Sequence, residues 1–162
     1  VNKILAVGEA LGVTDKAEAL AGKIDNQLLE AEEAAVSRAG DPKRVLFILS
    51  TRGGRIMAAG KGTSAEAIIE MSGGINAMEG FDGYKPVSDE AVSASNPDVI
   101  WMMSRGGDHS TANDELFALP ALVPTPAAQN EAGVRMNGLK LLGFGPRTAE
   151  AVTELSTALY GG

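Results

Sequence analysis

The chain has 162 residues, a formal charge of −7 and no cysteine. That length suits one domain with a sizeable core. The negative charge argues against binding a nucleic-acid backbone, and the missing thiols exclude disulfides, thiolate metal sites and cysteine nucleophiles. No run of about 18 apolar residues is present, so no segment reads as a membrane-spanning helix.

In chain order, Ile4, Leu5, Val7, Leu11 and Val13 predict a short helix that stops near Gly12. Thr14 or Asp15 is expected to cap the next one. From Lys16 to Arg38, apolar residues recur at helical spacing (Ala17, Leu20, Ile24, Leu28, Ala31, Ala35) on an otherwise charged segment. Gly40-Asp41-Pro42 ends it. The uninterrupted run Arg44–Leu49 predicts a strand buried on both faces. A helix follows from Thr63 to Met71, with Thr63 as cap and Glu66 completing a capping box. Ile75–Met78 reads as a short strand, Ser88–Ser95 as a helix capped by Ser88, and Val99–Met103 as the second strong strand. A short helix at Asn113–Leu119, a proline-rich loop at Pro120–Pro126, a short strand at Val134–Met136 and a closing helix at Arg147–Leu159 complete the pattern. Gly145-Pro146 sets up that last helix. Strands alternating with helices predict βα units and a mostly parallel sheet covered on both faces.

In such sheets ligands bind beyond the carboxyl ends of the strands. Two loops qualify. Ser50–Gly62 (STRGGRIMAAGKG) holds Arg52 and Arg55, which suit carboxylates, and Met57, which suits a flat apolar surface. Ser104–Ser110 (SRGGDHS) holds Arg105 and His109, the single histidine. The plainer reading makes both solvated surface loops, with His109 an exposed histidine next to Asp108. Gly60-Lys61-Gly62-Thr63-Ser64-Ala65 fits a dinucleotide fingerprint only loosely, because about ten residues separate it from its strand. Neither a P-loop nor a nucleophile elbow is present. Glu90, in the first turn of its helix, is accounted for by the helix dipole.

The stretch YKPVSDEAVSASNPDVI (Tyr84–Ile100) resembles the superfamily of siderophore, cobalamin and haem receptors. AAGKGTSAEAIIEMSGGINA, LPALVPTPAAQ and LLGFGPRTAEAV are more similar to its haem branch, the periplasmic substrate-binding proteins of haem ABC transporters. The resemblance covers nearly the whole chain. It implies an α/β, three-layer lobe with a mostly parallel sheet, spanning 41–162. A long interlobe helix within 1–40 would precede it, and the N-terminal lobe would be absent. Val1 opens directly into a helical pattern with no signal peptide, consistent with a piece of a larger protein. By the same resemblance the protein is periplasmic and not an enzyme. It has no intrinsic cofactor and no membrane insertion, and haem is the transported ligand. Arg52, Arg55, Met57, Arg105 and His109 become cleft residues, the basic ones near propionates or the axial ligand, with His109 placed to ligate the iron or to bond a propionate. Glu90 becomes the acid that docks on the ABC permease, which works with its ATPase. A cobalamin or ferric-siderophore receptor is the alternative, and a nucleotide-dependent α/β enzyme a more distant one. A lone half-cleft is expected to bind haem weakly and to be free to meet a second copy.

Overall fold

A computed structural model of the chain describes residues 2–104, 113–138, 145 and 147–161. Helices α1 (Asn2–Ala10) and α2 (Thr14–Arg38) form an antiparallel pair in which Gly8 lets Ala17 approach closely. Gly12 turns the chain at φ +68°. Val13 occupies the N-cap of α2 without a side-chain bond, so neither Thr14 nor Asp15 caps it as expected: the helix already starts at Thr14.

Strand β1 (Arg44–Ser50) is central, because its apolar run is buried on both faces. It pairs in parallel with β5 (Val99–Ser104), which pairs in parallel with β6 (Gly133–Asn137). On its other side β1 meets two strands in succession. The two-residue β3 (Ile75–Asn76) lies parallel to its amino end, and β2 (Ile56–Ala59) lies antiparallel to its carboxyl end. β4 (Tyr84–Val87) adds antiparallel to β2, giving a six-stranded sheet of order β4-β2-β1-β5-β6 with β3 beside β1. The mostly parallel sheet is as expected. The strands β2 and β4, and the short α6 below, are additions to the sequence reading.

Alternation along β1 and β5 divides the core. Val45, Phe47, Val99 and Trp101 face one layer, made by α2, α3 (Ser64–Met71) and α7 (Thr148–Tyr160). Leu46, Ile48, Ile100 and Met102 face the other, made by α4 (Asp89–Ser95), α5 (Asn113–Phe117) and α6 (Pro126–Gln129). Phe47 and Trp101 meet edge to face at 5.0 Å, both fully buried. Arg44 ties β1 to the second layer at the amino edge: its Nε donates to Ser95 O at 2.9 Å and its guanidinium to Ala77 O at 3.3 Å. Tyr160 OH ties α7 to the turn between α3 and β3 by donating to Gly73 O at 2.6 Å.

Only the second half of α2 lies on this core, through Ala31 and Ala35. At 1.5 Å per residue, the fourteen positions from Leu28 back to Thr14 carry the helix about 20 Å further. Along that length α2 bears α1. No helix among the described residues is long and apolar enough to cross a membrane.

Candidate functional site

The three parallel strands end level with one another. Ser104 pairs with Asn137, and extending the Ile48–Met102 register by two residues sets Ser50 beside Ser104. This carboxyl rim is the edge beyond which α2 continues, because α2 ends beside the amino end of β1: the Cβ and carbonyl oxygen of Ala39 and Ala35 lie against Gly73.

β1 leaves the rim through a 3-10 turn, Arg52–Gly54, built on glycines at φ +66° and +74°. Those angles belong to glycine, which reaches them without a Cβ clash. Arg52 N donates to Ser50 Oγ at 3.2 Å, Gly54 N to Thr51 O at 3.2 Å and Arg55 N to Arg52 O at 3.3 Å. The turn sends both Arg52 and Arg55 to the solvent side of the rim, where both are exposed. No ion pair among the described residues holds either guanidinium. Met57, half-buried, opposes Ser50 on β1 and Pro86 on β4. The structure therefore brings Arg52, Arg55 and Met57 to one edge. Arg105 and His109 lie outside the described residues.

Glu90 sits at the same edge, because β4 runs back toward it and Val87 pairs with Ile56. Ser88 caps α4 by accepting from Ala91 N at 3.2 Å. Glu90 is fully exposed, and its carboxyl is held below the ordinary glutamate range by its own backbone N–H and then by the Ser88 side chain. The site is thus two cations without an ion pair among the described residues, at the same edge as an ionised acid at a helix start.

The glycines at 60 and 62 do not belong to it. β2 intervenes and carries the chain toward the amino edge, where Ala59 O accepts from Asn76 Nδ2 at 3.3 Å. There the first turn of α3 is occupied from within. Thr63 Oγ1 accepts from Glu66 N at 3.1 Å, and Glu66 Oε2 accepts from Gly62 N at 2.6 Å. The expected capping box thus closes one residue early. It puts a carboxylate where a phosphate would have to sit, which removes the nucleotide reading of this loop.

Two rim residues were missed by sequence reasoning. The β1–β2 register slips between Ile48 and Ser50, so Leu49 is the extra residue of a β-bulge. Met103, its neighbour on β5, has its thioether over Gly138. A bulge has no residue signature, whereas the end position of Met103 in the strand was readable.

One solved relative is a periplasmic heme-binding protein, BhuT in complex with two hemes: 39% identical, TM-score 0.89, covering 97% of this chain and 61% of that one. Another is the periplasmic heme-binding protein RhuT from Roseiflexus sp. RS-1 in apo form: 35% identical, TM-score 0.91, covering 98% and 61%. An uncharacterized ABC transporter substrate-binding lipoprotein of Bacillus subtilis (strain 168), YvrC, is 25% identical over 98% of this chain. The chain spans 49% of that relative's length. Residues 1–136 match the family described as periplasmic binding protein, and the chain belongs to that family.

Proposed function

We propose that the chain is the C-terminal lobe of an extracytoplasmic solute-binding protein, with 1–40 as the interlobe segment and 41–162 as the lobe. Its ligand is haem, which it hands to an ABC importer. The observation that carries this is the carboxyl rim. It presents two arginines that have no ion pair among the described residues, and a half-buried methionine, at the edge past which α2 runs. A planar apolar molecule with two carboxylates matches that set. The relatives BhuT and RhuT, named for heme binding, support the same ligand. Arg52 and Arg55 take the carboxylates, with Met57 beside the ring. Arg105 and His109 join the ligand contacts on the strength of their place after β5 in the sequence. The work is capture and release, without a chemical step on the ligand. Glu90 meets an arginine of the permease, and an exposed charge there mainly orients the encounter.

The test is a haemin titration of the 162-residue chain followed at the Soret band, with cobalamin and a ferric siderophore run in parallel. A saturable Soret change is expected. Arg52→Ala and Arg55→Ala should each weaken it by about fivefold, the upper end for an exposed ion pair. No saturable change with haemin, together with binding of cobalamin or the siderophore, would move the ligand to that class.

A further inference from the structure

Among the described residues, the first-layer core is only partly covered where it reaches the carboxyl rim. Phe47 and Trp101 are fully buried, yet Leu49 and Met103, two residues further along the same strands and packed in the same cluster, are only half-buried. Leu28 of α2, also half-buried, packs in that cluster as well. A strand end facing water would ordinarily switch to polar residues by this point. Two details keep these side chains at the rim. The bulge lifts Leu49 out of the regular ladder. Gly138, just past β6, leaves room for Met103, since a Cβ there would stand 3.0 Å from its Sδ. The register makes Leu49 and Met103 cross-strand neighbours. The adjoining turn holds Arg52 and Arg55.

We propose that Leu49 and Met103 form the seat for the flat hydrocarbon face of the ligand, with Arg52 and Arg55 taking its carboxylates. This rests on the reading of the chain as a haem-binding lobe and adds the surface on which the macrocycle lies. The occupant is a planar amphiphile bearing carboxylates, because a half-buried apolar margin, with two cations at one side that have no ion pair among the described residues, complements that shape and charge. A thioether suits the position: it is polarisable, unbranched and packs well against a π face. Methyl groups over a macrocycle also feel its ring current, so the arrangement can be read directly.

The experiment adds gallium(III) protoporphyrin IX, which is diamagnetic, to the chain labelled with 13C at its methionine methyls. The Met103 methyl is expected to move upfield in a saturable way. Met78 and Met102, which lie in the other core layer, should stay in place. The dimethyl ester of the same porphyrin should produce the Met103 shift at higher concentration, since it keeps the face and loses the carboxylates. Leu49→Ala should weaken binding of both forms equally, by about fivefold for some 40 Å² of lost apolar contact. The wild-type methyl shifts test the seat even where that variant proves unstable. Binding that moves only the Met57 methyl would place the macrocycle over β2, overturning the seat while leaving the haem reading intact. Equal affinity for acid and ester would overturn the arginine half of the proposal. No methyl shift and no Soret change would overturn both the seat and the haem reading.

Discussion

Gly60→Ala is expected to be among the most damaging single-methyl additions in this chain, although its backbone is not in the left-handed region. A Cβ at Gly60 would collide with the carbonyl oxygen of Phe81 and stand 2.6 Å from Cδ2 of its ring. The backbone oxygen cannot swing aside as a side chain would. Three bonds clamp the two segments: Gly60 N to Gly83 O at 2.8 Å, Lys61 N to Phe81 O at 2.8 Å and Gly83 N to Lys61 O at 2.9 Å. Relieving the collision means opening this clamp. At roughly 1 kcal/mol per bond the cost is about 2–3 kcal/mol, within the range for an overpacked site. For a domain of this size that lowers Tm by about 5–10 °C. The assay is thermal unfolding followed by circular dichroism, with Gly80→Ala as control. Gly80 has open space around it and no unusual φ, so its change should stay within about 0.5 kcal/mol. A Gly60→Ala protein that melts with the Gly80→Ala control would refute the steric argument.

Arg44→Met keeps the aliphatic stem but leaves Ser95 O and Ala77 O without their donor. A loss of about 1–3 kcal/mol is expected in urea unfolding, with the denaturant slope unchanged. The Glu90 carboxyl should titrate below an ordinary glutamate when followed by carbon NMR. Because its folded-state value is depressed, its contribution to stability is present above the unfolded value and lost as pH falls through the folded one. Ser88→Ala should raise the Glu90 midpoint part of the way back, since the backbone N–H remains. The same variant should lower stability by about 1 kcal/mol through the lost cap.

Much of this fold is written in local chemistry. Arg44–Ser50 and Val99–Ser104 declare themselves because strands buried on both faces need unbroken apolar runs. Ser88 and Thr63 were readable as caps, and both accept from the amide three residues on. β2 and β4 were not readable. Each has four residues, β2 follows the glycine pair at 53–54, and β4 contains Pro86, so their pairing comes from tertiary contact rather than periodicity. The same omission blurred the site. Without β2, one loop seemed to run from Ser50 to Gly62, whereas the structure leaves Arg52, Arg55 and Met57 at the rim and carries Gly60 and Gly62 toward the other edge. The cap expected at Thr14 or Asp15 failed because the turn at Gly12 places Val13 at the boundary.

The outer margin of β4 bears on self-association. Gly60 N donates to Gly83 O, so hydrogen-bonded pairs alternate from there, and Pro86, opposite Met57, falls in a non-bonded pair. Its missing N–H therefore points outward. A strand approaching from that side would find a gap in the ladder beside the exposed ammonium of Lys85. Proline and lysine on an edge are the ordinary means of keeping sheets from adding to one another. Any fibre or dimer built by continuing the sheet is thus blocked on the β4 side, and Pro86→Thr is the substitution that would reopen it.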